Sequence, residues 1–159
     1  FSEALEVVGD IYAIAGFSGN GRLGVDYFHI KDFSEPMNEA IRNRIDAMVP
    51  QRNTRMGAAI RHAAAQFAAV TSRVRLLITI GDGFPNDLGY KKRYAVEDTR
   101  RAISELRSRH IHVHAITINI DTADDGRLDD LYGEIHHNVI ANVVDLPEKL
   151  WRIYGMLTR

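Results

Sequence analysis

The stretch RVRLLITIGDGFPND (73–87) joins a short, nearly continuous apolar run to an acidic loop bounded by glycines. Apolar residues without polar alternation over this length mark a strand buried on both faces, as in parallel sheets covered by helices. Ile78 then sits mid-strand, where an unpaired charge would unfold the domain. The run ends in Asp82, between Gly81 and Gly83, and Asp87 follows. Gly83 and Pro85 prevent immediate helix formation, so the loop stays open and its backbone can approach a ligand. In open α/β sheets ligands bind outside the C-terminal ends of the strands, which is where Asp82 is delivered. The plainer reading of Asp82 is a turn or helix cap.

Working outward, the pattern alternates. FSEALEVVG (1–9) reads as the last turns of a helix, with Phe1, Leu5 and Val8 on one face. DIYAIAGF (10–17) and VDYFHIKDF (25–33) read as strands joined by the glycine-rich turn SGNGRLG, hence antiparallel. Residues 35–49 and 54–70 carry helical apolar spacing, with Pro36 in a tolerated first-turn position. After the strand 73–80 come a helix (93–109), a strand (110–118), a short helix (124–133), a strand (138–144) and a helix (146–157), on which Trp151 is expected to pack against the sheet. Strands alternating with helices predict one α/β domain over 1–159. It would be a doubly wound, mainly parallel sheet with 25–33 as an antiparallel edge strand.

The 159 residues suit a single core, and 20 basic against 21 acidic residues give a net charge of −1. A general nucleic-acid binder carries a basic excess, so nucleic acid is not an expected partner. No apolar run approaches the ~20 residues of a membrane span, and no signal-peptide pattern opens the chain. Cysteine is absent, which removes disulfides and thiolate metal sites and suits a cytoplasmic location.

A second loop converges on the same end of the sheet. Thr54 stands at the entry of the alanine-rich helix with Gly57 one turn inside; taken singly, these are an N-cap and a packing glycine. Together, Thr54-x-x-Gly57-x-Ala59 and Gly81-Asp82-Gly83 on this alternation resemble the von Willebrand factor A family, whose fold is Rossmann-like. That resemblance implies a metal-ion-dependent adhesion site, with Thr54 as the second-loop ligand and Asp82 as the third-loop ligand, often acting through water. Hard divalent cations such as Mg²⁺ prefer such oxygen donors. A cation held largely by neutral hydroxyls keeps affinity for one more carboxylate, supplied by a partner protein. The family's first-loop Asp-x-Ser-x-Ser motif occurs nowhere in the chain. The resemblance therefore implies that the first strand is missing here, and that Mg²⁺ binding by this fragment is weak or absent. It also leaves a gap that a second copy or a separate piece would fill, so an oligomer is among the expected states.

DGFPND, RYAVEDTRRAISELRSRHIHVHAITI, LDDLYG and DLPEKLWRIYGMLTR narrow the resemblance to the C-terminal domain of NorD- and CbbO-type proteins. These are partners of MoxR-type AAA+ ATPases in the activation of nitric oxide reductase and rubisco. The resemblance implies a non-enzymatic adaptor that grips an acidic residue of a target metalloenzyme or rubisco while the ATPase acts. Asn53, Gly83, Phe84, Asn86 and Asp87 around the metal, with the basic run Lys91, Lys92 and Arg93, are the expected partner contacts. The competing expectation is a magnesium-dependent hydrolase or phosphotransferase using Asp82 and Asp87. It needs a nucleophile or general base beside the metal, and the sequence offers no elbow motif, suitably paired His or phosphate loop.

Other motifs carry less. GFSGNG (16–21) precedes a strand rather than a helix, so it offers no helix N-terminus to a phosphate. HIHVH sets His110, His112 and His114 on one strand face, more simply packed or solvated than zinc-binding. His136-His137 reads as a polar loop. DTADDGRLDD fails as a calcium loop because Ala123 and Tyr132 fall where oxygen ligands are needed.

Overall fold

The computed structural model describes residues 2–118, 125–133 and 135–157. In chain order, α1 (Ser2–Val8) precedes the antiparallel pair β1 (Ile14–Gly19) and β2 (Val25–Lys31), then α2 (Glu39–Asp46) and α3 (Met56–Gln66). Then follow β3 (Leu76–Gly81), α4 (Lys92–Ser108), β4 (His112–Ile118), α5 (Asp125–Tyr132), β5 (His136–Ile140) and α6 (Leu146–Leu157). The order β3-β4-β5 is parallel throughout, from Leu76↔His112 to Ile118↔Ile140.

Alternation along β4 explains the layering, because successive side chains of a strand point to opposite faces. Val113 and Ala115 join Met56, Ile60, Ala102, Ile103, Leu106, Leu128 and Leu131 in one core, under α3, α4 and α5. Ile116 faces the other way, into a smaller core with Ile140, Leu150 and Ile153, which Ile78 and Ile118 border. On α4 the buried positions Ala95, Thr99, Ala102, Ile103 and Leu106 recur at helical spacing. The doubly wound α/β class is thus present, with helices on both faces of a parallel sheet.

The expected single sheet is instead two. β1 and β2 form their own two-stranded ribbon, and among the described residues no ladder joins it to β3-β4-β5. β3 accordingly has one unpaired edge; its residues 76–79 are half-buried and Ile80 is 48% exposed, rather than buried on both faces.

Several boundaries differ from expectation for local reasons. β1 starts at Ile14 and runs to Gly19, whose backbone also pairs with Asn53. α2 begins only after Asn38, whose side chain accepts from the Ile41 N–H at 3.0 Å, so Pro36 lies before the helix. α3 begins at Met56 because Thr54 is drawn into a backbone bridge with Asn86; the cap position falls to Arg55, whose side chain makes no capping bond. β5 runs from 136 to 140 instead of 138–144. It stops where β4 stops, and the Asn142 side chain caps a 3-10 turn by accepting from the Val144 N–H. Leu150 and Ile153 dock α6, whereas Trp151 is 46% exposed, its ring tilted against that of Tyr154 at 5.8 Å between centres, contrary to its expected packing role.

Candidate functional site

Three connections meet at one end of the structure: the turn 20–24 between β1 and β2, the loop 47–55 before α3, and the loop 82–91 after β3. Gly19 and Asn53 exchange backbone hydrogen bonds (2.7 and 3.2 Å), and Thr54 and Asn86 do the same (2.8 and 3.0 Å). The second bridge fixes the loop after β3 against the entry of α3.

The group that binds all three connections is Asp87. Its side chain is buried, at 1% exposure. The Gly21 N–H reaches both carboxylate oxygens at 3.0 Å, Asn53 Nδ2 donates at 3.1 Å, Arg55 Nε at 2.7 Å, and the Leu88 N–H at 2.7 Å. Burial by itself would raise this acid's pKa; the Arg55 guanidinium and the Gly21 and Leu88 N–H groups more than reverse that and hold it down at about 2. Arg55 is itself buried. Its Nη2 donates to the Leu88 carbonyl at 2.8 Å, and its guanidinium lies 4.5 Å from the centre of the Tyr90 ring. Gly19 is required for this approach, since a Cβ there would sit 2.8 Å from an Asp87 oxygen and 3.2 Å from Arg55 Cβ.

Tyr90 extends the arrangement into the helices. A tight turn pairs its backbone with that of Asp87, and its side chain is fully buried. The Tyr90 hydroxyl accepts from the Gly57 N–H at 3.2 Å and donates to Asp98 Oδ2 at 2.7 Å. Burial first, then Asp98, pushes its pKa up to about 12, so it stays a neutral donor. Asp98 also takes Arg61 Nη1 at 2.9 Å, and a Cβ on Gly57 would collide with the Asp98 carboxylate.

The residues singled out from sequence divide into two groups. Asp82 is exposed and Thr54 half-buried, and neither side chain is hydrogen-bonded or ion-paired among the described residues. Lys91, Lys92 and Arg93 are exposed, and Lys92 takes a left-handed backbone (φ 50°) at the start of α4. Asn86 is exposed and engaged through its backbone, and Gly83 is half-buried. Three expected partner contacts are turned to other uses. Asn53 donates to Asp87, and Phe84 packs on the main core with the Arg127 guanidinium 4.1 Å from its ring centre. Asp87, expected at the surface, is buried with its lone pairs occupied. A hydrolytic magnesium shared by Asp82 and Asp87 is thereby left without its second ligand.

In donor chemistry the Thr54 hydroxyl and the Asp82 carboxylate suit a hard cation. Their number falls short: the described residues contain no cluster of three or more His, Cys, Asp or Glu that could hold an ion. The histidines do not form one either. His114 is buried with Nε2 2.8 Å from Asn138 Oδ1 and stacked near His136, while His112 on the same face is exposed. Burial lowers the His114 pKa and keeps the ring neutral. Residues 121–124 of the acidic run lie outside the described residues, and the run continues as α5.

Arg55 and Tyr90 are not singled out by the sequence. The glycine turn offers no helix N-terminus to an anion; the anion it holds is the chain's own Asp87. Arg55 carried a weak signal, an arginine beside the candidate Thr54.

Comparison with known proteins adds three findings. The sequence model of the von Willebrand factor type A domain matches residues 8–150. An uncharacterised protein of Pseudomonas aeruginosa is 40% identical over 160 aligned residues, covering 100% of this chain and 26% of that protein. Proteins called NorD are 38% identical in Brucella suis biovar 1 (98% of this chain, 24% of that protein) and 42% identical in Stutzerimonas stutzeri (78% and 20%). The chain thus spans about a quarter of the length of the curated relatives it matches. No solved structure gives a significant match. Among the described residues no helix is long and apolar enough to cross a membrane.

Proposed function

This chain belongs to the von Willebrand factor type A domain family, and from that premise we propose that it is a non-enzymatic, protein-binding adaptor domain of a NorD-like protein. Its working end is the loop cluster that carries Thr54 and Asp82. Those two residues would hold a Mg²⁺ ion together with the family's Asp-x-Ser-x-Ser motif, which these 159 residues do not contain, and the ion would supply an electrophilic point for one carboxylate of the target. Lys91, Lys92 and Arg93, exposed where that loop passes into α4, favour an acidic partner. The surrounding assembly is a cytoplasmic activation complex with a MoxR-type AAA+ ATPase, acting on nitric oxide reductase or rubisco.

The observation that carries this reading is the contrast in use of oxygen donors on adjoining loops. Asp87 is saturated by donors from within the chain, whereas Asp82 and the Thr54 hydroxyl have no partner among the described residues. An exposed carboxylate with no internal partner adds little to stability, so its place between two glycines makes sense as a contact to something else.

The test is calorimetric titration of Mg²⁺ into this chain and into a form extended N-terminally to the Asp-x-Ser-x-Ser loop. Binding by the extended form, lost in its Asp82→Ala and Thr54→Ala variants, is the expected result. Undiminished binding in both variants would remove these residues from the site.

A further inference from the structure

Two exposed leucines stand on the connections that Asp87 ties together. Leu23, at the tip of the β1–β2 turn, is 98% exposed, and Leu88, next to Asp87, is 61% exposed. A lone exposed leucine needs no explanation. These two are different, because the Gly21 N–H and the Leu88 N–H donate to the same buried carboxylate, and Arg55 holds the Leu88 carbonyl. The turn and the loop are therefore presented as one rigid edge, with an apolar side chain projecting from each part.

Exposed cations outnumber exposed carboxylates around that edge, where only Asp26 on β2 and Asp82 at the start of the loop are acidic and exposed. Arg22 adjoins Leu23, Arg52 lies beside the Gly19–Asn53 bridge, and Lys91 and Lys92 follow Leu88 by a few residues. All four are exposed, and none is ion-paired among the described residues. Arg93, also exposed, follows Lys92, and the buried Arg55 is already neutralised by Asp87. Since the chain as a whole is slightly acidic, this is a local concentration of positive charge rather than a general one.

We propose that Leu23 and Leu88, framed by Arg22, Arg52, Lys91 and Lys92, form a docking edge for an acidic protein segment bearing a large apolar side chain. The proposal rests on the adaptor reading for the class of partner, but not on the metal. The leucines supply apolar burial, and the four cations select acidic over neutral sequences and speed encounter. Rigidity of the edge lowers the ordering cost of binding.

The experiment is fluorescence anisotropy with a short fluorescein-labelled peptide of repeating Glu-Glu-Leu, measured in EDTA so that no adhesion-site metal contributes. The expected result is saturable binding that weakens about tenfold with Gln-Gln-Leu or Glu-Glu-Ser peptides, and equally in a Leu23→Ser/Leu88→Ser variant, but not in Arg152→Ser on α6. Equal binding by the double leucine variant would overturn the proposal. So would a labelled oligothymidine bound as tightly as the peptide, or binding that requires Mg²⁺. Self-association lost in the leucine variant would reassign the edge to a second copy and overturn it too. Binding in EDTA without any response to Mg²⁺ in the extended form would sink the adhesion-site reading and leave this one standing.

Discussion

Two positions of the 82–91 loop put the same side chain to opposite uses. At its start Asp82 leaves β3 between two glycines, exposed and without a partner among the described residues. Five residues on, Asp87 is buried and takes N–H donors from Gly21, Asn53, Arg55 and Leu88. Chemical identity decides neither fate. What differs is the donors each carboxylate meets: a closed set of backbone, side-chain amide and guanidinium N–H groups for one, and solvent for the other. A loop that offers a free carboxylate to a partner must be held by something else, and here the neighbouring aspartate does the holding.

The largest expected effect comes from removing that hold. Asp87→Ala leaves Arg55 buried without its counter-ion and should cost about 3–5 kcal/mol in urea unfolding; a loss below about 1 kcal/mol would make the cluster incidental. The same group predicts an acid signature. Its folded pKa of about 2 lies below the ordinary 3.8, so its stabilisation is complete above about pH 4 and is lost as pH falls toward 2, on the order of 2 kcal/mol. Asp87→Asn should flatten that part of the stability–pH profile, and an unchanged profile would assign the acid sensitivity elsewhere.

A middling effect is expected where the cluster passes into the helices. Gly57→Ala drives a methyl group into the Asp98 carboxylate, which Tyr90 and Arg61 hold in place, and should cost about 1–3 kcal/mol in melting experiments. No loss would mean that Asp98 moves freely and that Tyr90 does not couple the loop to α3 and α4. The smallest effect belongs to the other end of the loop. Asp82→Ala should stay within about 0.5 kcal/mol of wild type, and destabilisation rivalling Asp87→Ala would erase the contrast.

Much of this was legible in the residues. Helical apolar spacing, apolar or β-branched runs and the turn residues between them identified every described α-helix and strand by type, whereas the 3-10 turn at Val143–Asp145 was read as the end of a strand, and the family resemblance to NorD-type proteins agrees with the family and named relatives found. The splitting of the sheet was not legible in strand patterns, because LLITI reads as buried on both faces whether or not its second edge is paired. The ends of α2, α3 and β5 were set by Asn38, by the Thr54–Asn86 bridge and by Asn142, local bonds that periodicity does not encode. Within the site, Thr54 and Asp82 stood out because glycines and a helix entry surround them. Asp87 was noticed but placed at the surface, since its donors come from positions 21, 53 and 55, far away in sequence. Hydrophobic spacing could not have brought those three together; a glycine turn without a helix to serve and an arginine beside Thr54 were the traces.

The most direct test of the central contrast is amide hydrogen exchange at Gly21 and Leu88, the two backbone donors to Asp87, in wild type, Asp82→Asn and Asp87→Asn. Protection is expected at both amides in wild type and in Asp82→Asn, with its loss at both in Asp87→Asn under conditions where β4 remains protected. Protection that survives in Asp87→Asn, or disappears in Asp82→Asn, would contradict that contrast.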